Sequence, residues 1–155
     1  VRNMLAEYGD RIKYPTDVAL NVDGKRIEAS IKEMGKSQYP ANDIGLETIV
    51  SYTSIIESAG TVILNGPAGV SENPDFAMGT HEIIRAATNS KFSIIGGGHI
   101  SAEVHRLGMD GQFSHISTGG GACIEYLSGT ELPGIKVLRD AATRSRDDPE
   151  DRTIL

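Results

Sequence analysis

Two runs of three glycines, Gly96-Gly97-Gly98 and Gly119-Gly120-Gly121, are the segments of this sequence best suited to chemistry. Each stands between an apolar stretch that reads as a strand and a segment that reads as a helix. A strand running through glycines into a helix exposes backbone N–H groups beside the positive end of a helix dipole, which suits a phosphate. A third loop, Asn65-Gly66-Pro67-Ala68-Gly69, is similarly bare of side chains and follows another short strand. One such loop alone reads as a tight turn that uses glycine for positive φ. Three on one edge of a sheet favour a phosphate ligand. Residues 65–72, 96–101 and 117–122 include no Lys or Arg. A polyphosphate there depends on backbone donors, a metal ion, or cations from elsewhere.

Two familiar phosphate motifs are excluded. Gly35-Lys36-Ser37 lacks the first glycine of a P-loop, since Ser30 stands there, and Pro40 interrupts the helix that should follow. Gly96-Gly97-Gly98-His99-Ile100-Ser101 ends its dinucleotide-like pattern on Ser101, and Ile116 and Ser117 occupy the place of the acidic ribose partner. Other candidates have plainer readings. Cys123, with His115 eight residues earlier, reads as a core thiol rather than a nucleophile. His99 and Glu103 stand four apart, and His81 neighbours Glu82, but no third ligand follows at a fitting spacing, so no metal site is assigned. His105 reads as a solvated helix residue. Glu72, near Pro74, reads as an acid at a helix start.

The elements that hold these loops form a regular series. Thr61–Leu64 and Phe92–Ile95 read as short buried strands, and Phe113–Ile116 as a weaker third. Helices are expected near 76–88 (closed by Asn89), 100–107 and 122–128. Strands alternating with helices imply right-handed βαβ units and a parallel sheet covered on its faces, with ligands at the carboxyl ends of the strands. Upstream, residues 1–9 read as a helix ending at Gly9, and Val18–Val22 and Lys25–Ala29 flank Asp23-Gly24 as a hairpin. Residues 32–43 read as loop. Ile49, Tyr52, Ile56 and Ala59 mark a helix closed by Gly60.

The chain has 155 residues, 39% hydrophobic and 23% charged, which is the size and composition of one globular domain. A net charge of −6 argues against nucleic acid and anionic membranes as partners. One cysteine allows no internal disulfide and fits a reducing compartment, and no apolar run reaches membrane length. The start, Val1-Arg2-Asn3-Met4, has no signal-peptide pattern and reads as the interior of a longer chain. The charged segment from Arg144 to Arg152 reads as a frayed tail.

As an ordered set, these residues resemble the phosphoglycerate kinase family. The resemblance rests on Asn65-Gly66-Pro67-Ala68-Gly69-Val70-Ser71-Glu72, Gly79-Thr80, Gly96-Gly97-Gly98-His99, Ser117-Thr118-Gly119-Gly120-Gly121-Ala122 and Leu132-Pro133-Gly134, with Pro15-Thr16-Asp17 and Asp43-Ile44-Gly45 earlier. Leu64 through Ala68 and Gly98-His99 look archaeal. The resemblance implies a three-layer, Rossmann-like α/β fold with a parallel sheet flanked by helices, incomplete at its N-terminal side, and a small β-hairpin. It implies that residues 1–140 are part of the C-terminal, nucleotide-binding domain, with 141–155 a charged tail. It implies Mg-ATP or Mg-ADP as ligand and reversible phosphoryl transfer to 3-phosphoglycerate in the cytoplasm, the triose being held by an N-terminal domain outside this chain.

The same resemblance implies particular roles. Glu72 would bind the ribose hydroxyls, and Asn65, Gly66 and Pro67 would border the phosphates and the nucleotide pocket. Gly97, Gly98, His99 and Ile100 would contact the phosphates and metal, and Gly119, Gly120 and Gly121 would offer N–H groups to the transferring phosphoryl group. His99 stands where many members have an aspartate that binds Mg²⁺, and imidazole is a poorer partner for a hard cation. The rival readings are a stand-alone nucleotide- or phosphate-binding module without catalysis, and a transferase of another doubly wound type.

Overall fold

A computed structural model describes residues 2–147. Helix α1 (Arg2–Tyr8) leads through the 3-10 turn Gly9–Arg11 to strands β1 (Asp17–Val22) and β2 (Lys25–Ser30). These pair as the expected antiparallel hairpin. Its turn places Asp23 at φ 52° and Gly24 at φ 84°, the doubly left-handed geometry that matches strand twist.

Residues 32–43 are not a simple loop. A short helix, α2 (Ile31–Met34), follows β2, because Ser30 and Glu33 close a reciprocal capping box. Strand β3 (Ala41–Ile44) then pairs antiparallel with the other side of β1, with a register shift at Ala19/Leu20. The hairpin is therefore part of a three-stranded sheet, β2-β1-β3. Four residues centred on Asn42 and Asp43 carry no strand periodicity, so β3 exists by virtue of its partner rather than its pattern.

Helix α3 (Leu46–Ser58) crosses to the second sheet, built from β4 (Thr61–Asn65), β5 (Phe92–Gly96) and β6 (His115–Ser117). All pairs are parallel, in the order β4-β5-β6. Helices α4 (Met78–Ala87), α5 (Gly98–Arg106), α6 (Gly121–Leu127) and α7 (Pro133–Asp147) complete the chain. Thr88, not Asn89, closes α4. Helix α7 runs through position 141, where a separate tail was expected, and the rest of that tail, 148–155, lies outside the described residues.

Pleating divides the parallel sheet into two faces. Val62, Leu64 and Ile95 point to one face and pack with Ile84 and Ala87 of α4 and Ile100 and Val104 of α5, while Ile56 and Ala59 of α3 and its C-cap close the cluster. Each fully buried aliphatic side chain here contributes about 1.5–3 kcal/mol, so this cluster dominates stability. On the other face Ile94 meets α6, while Ile63 and Phe92 remain partly in solvent. The fold is α/β, a parallel sheet flanked by helices as the sequence leads one to expect, and the expected hairpin is part of a small three-stranded antiparallel sheet.

Two buried carboxylates position the two sheets. Asp17 of β1 accepts hydrogen bonds from the N–H groups of Glu47 (3.0 Å) and Thr48 (2.8 Å) and from the Thr48 hydroxyl (2.6 Å), so it caps α3 from another strand. Asp43 of β3 has a fully buried side chain and pairs with Arg26 of β2 at 2.8 Å. It also accepts the N–H of Gly79 at the start of α4 (2.9 Å) and that of Ile44 (2.9 Å). A methyl group at Gly79 would lie 2.3 Å from the Asp43 carboxylate, so only glycine permits this approach. Arg26 further donates to the Ile44 carbonyl (2.9 Å).

Asp43→Ala is expected to destabilise the fold by about 3–5 kcal/mol, because it leaves the Gly79 and Ile44 N–H groups without their acceptor and the largely buried Arg26 with Glu28 (2.7 Å) as its remaining carboxylate partner among the described residues. Urea unfolding monitored by circular dichroism reads this directly. A loss below about 1 kcal/mol would show that Arg26 finds solvent or another partner.

Candidate functional site

The carboxyl ends of β4, β5 and β6 lie side by side, ending in Asn65, Gly96 and Ser117, and a glycine loop leaves each. The three loops touch. The Gly97 N–H donates to the Ser117 carbonyl (3.1 Å). A methyl group on Gly97 would sit 3.4 Å from Asn65 Oδ1 and 3.8 Å from Gly120 Cα. Gly97 has φ 98° and Gly120 φ 46°, so both are held in the left-handed region just before their helices begin.

Among the described residues no side chain caps α5 or α6. The hydrogen bonding divides the expected donors into two groups. Gly97 N–H is taken by Ser117, and Gly119 N–H donates to the Ser117 hydroxyl (3.2 Å). Among the described residues no protein acceptor engages the N–H groups of Gly98, His99 and Ile100, or those of Gly120 and Gly121. These are the donors open to an anion. Ile100 is 1% exposed as a residue and its side chain belongs to the core, so of this turn it can contribute no more than its N–H. The His99 side chain is exposed in the first turn of α5.

The loop after β4 is strapped down. Thr80 of α4 accepts the N–H groups of Ala68 (3.1 Å) and Gly69 (3.2 Å), and Val70 N–H donates to the Asn42 carbonyl (2.7 Å). Gly66 and Pro67 stay exposed, as does Glu72. Glu72 does not start a helix: Asn73 caps the 3-10 turn Pro74–Phe76 through Asp75 N–H (3.1 Å), and Glu72 precedes that cap in a turn. An open groove of about 330 Å³ runs between this loop and β3, lined by Ala41, Asn42, Pro67, Ala68 and Val70. Sequence reading missed its β3 wall because residues 41–44 have no strand pattern of their own.

Glu103 of α5, the residue four beyond His99, faces Ser71 of the loop after β4 and His81 of α4. It engages the Arg106 guanidinium, and His81 Nε2 lies 3.3 Å from its carboxylate. Burial pushes its carboxyl up, but hydrogen bonds from Arg106, His81 and Ser71 outweigh that and hold it below the usual range. Among the described residues no three His, Cys, Asp or Glu side chains gather as a metal cluster. Half-buried Cys123 lines a groove of about 390 Å³ beside α6 with His115 and Tyr126. No helix among the described residues is long and apolar enough to cross a membrane.

The model of the family described as phosphoglycerate kinase matches residues 1–130. A phosphoglycerate kinase of Methanosarcina mazei is 60% identical over 146 residues, which is 94% of this chain and 35% of that protein. Phosphoglycerate kinase 2 of Methanosarcina acetivorans is 61% identical over 140 residues, 90% of this chain and 34% of that protein. The crystal structure of phosphoglycerate kinase from Pyrococcus horikoshii superposes with a TM-score of 0.77 at 37% identity, covering 88% of this chain and 35% of the other. This chain thus spans about a third of the length of the curated relatives it matches.

Acid should loosen the scaffold of the site. Burial raises the Asp17 carboxyl too, yet the Thr48 hydroxyl and the Thr48 and Glu47 N–H groups prevail and lower it. Asp17 and Glu103 therefore bind protons more readily in the unfolded chain. Their stabilisation is complete above about pH 5 and is lost as pH falls through about 4 towards the lowered folded-state values. Thermal melts should show a falling midpoint over that interval, with a smaller fall in Thr48→Val. A midpoint independent of pH down to about 3 would contradict the assignment.

Proposed function

The chain belongs to the phosphoglycerate kinase family, and on that premise we propose that it is the nucleotide-binding part of such a kinase, working in the cytoplasm. The observation that carries this reading is the meeting of three glycine loops at the carboxyl ends of parallel strands. Their free N–H groups at Gly98, His99, Ile100, Gly120 and Gly121 suit the oxygens of a polyphosphate. Asn65 and Gly97 border the same point, with Gly66 and Pro67 leading to the groove beside β3. In this reading the base occupies that groove and Glu72 accepts hydrogen bonds from the ribose hydroxyls.

The reaction proposed is reversible phosphoryl transfer between ATP and 3-phosphoglycerate, giving 1,3-bisphosphoglycerate and ADP. A carboxylate oxygen of the acceptor bonds to the γ-phosphorus as the bond to the ADP oxygen breaks. The N–H groups of Gly120 and Gly121 are directed at the transferring phosphoryl group, and Gly119, tied to Ser117, shapes the turn that presents them. The residues at these loops do not fit a protein-held Mg²⁺. No carboxylate stands beside His99 in residues 96–101, and among the described residues no three His, Cys, Asp or Glu side chains gather, so magnesium is treated as part of the Mg-ATP or Mg-ADP substrate. The triose is assigned to a domain outside this chain, since the loops 65–72, 96–101 and 117–122 contain no Lys or Arg to hold a second phosphate.

Glu72→Ala is expected to weaken ADP binding by about 1–3 kcal/mol through loss of charged hydrogen bonds to ribose. Its melting temperature should hardly change, because the side chain has no ion-pair partner among the described residues. Calorimetry with Mg-ADP reads both the parent and the variant, and a folded parent that binds no ADP would overturn the nucleotide reading.

The 155-residue chain by itself should bind nucleotide without turnover, because closure of a second domain over the phosphates is needed to exclude water and align the acceptor. A coupled kinase assay on the purified chain tests this. Turnover within about tenfold of a full-length family member would mean that these residues hold the triose themselves.

A further inference from the structure

The proposed ribose ligand, Glu72, is exposed at the third position of a turn closed by Asn73 N–H to the Val70 carbonyl (3.0 Å). Its aim depends on how that turn is held. The preceding residue, Ser71, is 1% exposed, and Arg106 Nη2 donates to its carbonyl at 2.8 Å. The same guanidinium engages Glu103, whose side chain is only 8% exposed and which also faces His81. A surface arginine alone orders little. This one, although its side chain is 49% exposed, has a single terminal nitrogen, Nη2, that donates both to a buried carboxylate and to a buried carbonyl, so the two contacts hold it in one geometry.

Helix α5 therefore has a task at each end. Its first residues, Gly98 to Ile100, present the free N–H groups of the phosphate loop, and its last, Arg106, grips the turn that carries Glu72. Resting on the nucleotide reading above, we infer that Arg106, oriented by Glu103, is a positioning residue that sets Glu72 against the phosphate loop and so determines selectivity for the ribose hydroxyls. Arg106 does not touch the nucleotide in this account. It acts through the Ser71 backbone. The plainer alternative is that the cluster only fastens α4 to α5. That role would lower stability without changing which nucleotide is preferred.

The test compares Mg-ADP with Mg-2′,3′-dideoxy-ADP by calorimetry in the full-length protein, alongside thermal melts. The parent should prefer ADP by about tenfold, and Glu72→Ala should abolish the preference. Arg106→Gln should lower ADP affinity about five- to tenfold while the dideoxy analogue changes less than about twofold, so that the preference falls towards one. If Arg106→Gln does not fold, Glu103→Gln and Arg106→Lys carry the test, each with a partial loss of preference. Equal weakening of both nucleotides, or an unchanged preference in folded variants, would overturn the inference while leaving Glu72 in place. A parent that binds neither nucleotide overturns the nucleotide reading and this inference together. A parent that binds both equally overturns the ribose role of Glu72 and, with it, that of Arg106.

Discussion

The buried pair of Asp43 and Arg26 is the constraint on which the arrangement of this molecule depends. Its Coulombic gain is largely offset by desolvation, so the apolar cluster between the parallel sheet and α3, α4 and α5 supplies most of the stability. The pair supplies geometry instead. Asp43 binds β2 through Arg26 and α4 through Gly79 N–H, and Gly69 of the loop after β4 packs against it. One carboxylate thus joins the antiparallel sheet, the helix behind the site and the loop that borders it. Replacing the pair with apolar groups of equal volume would preserve burial but lose the directional bonds that set the loop beside β3.

At the site the same logic appears in backbone form. A cluster of lysines would bind a polyphosphate more tightly in the ground state, but flexible cations must be ordered each time. Amide donors at Gly98, His99, Ile100, Gly120 and Gly121 are held by the helices they begin, so little reorganisation accompanies a change in ligand charge. Ser117 completes the arrangement by taking the Gly97 N–H on its carbonyl and the Gly119 N–H on its hydroxyl. Two donors are spent within the protein so that the others point outward.

Much of this was legible in the sequence. Val62 and Leu64, and then Ile95, alternate with helical segments clearly enough to give the parallel sheet, and the glycine runs fall where such a sheet binds ligands. Asp23-Gly24 announced the hairpin. What escaped is what depends on distant partners. Strand β3 has no pattern of its own and exists because β1 offers an open edge. The Ser30 to Glu33 capping box is readable in the sequence, yet a four-residue helix lies below the length at which periodicity speaks. The inward turn of Ile100 and the engagement of the Gly97 and Gly119 N–H groups follow from loop contacts that spacing along the chain does not encode. Glu103 looked free to share a ligand with His99, but the helix turns it towards His81 and Arg106.

The cap of α3 has a consequence for the order in which structure can form. The helix is capped at Gly45, which has no side chain to offer, and its first-turn N–H groups are satisfied from the hairpin: those of Glu47 and Thr48 by Asp17, about thirty residues upstream, and that of Leu46 by Glu28. A nascent α3 therefore frays at its N-terminus until β1 arrives, and loop closure across that interval must precede the helix's full stability. Because β1 is itself held by β2 and β3, the small sheet and α3 should consolidate in one cooperative step, with the helix a late beneficiary of strand pairing rather than its nucleus.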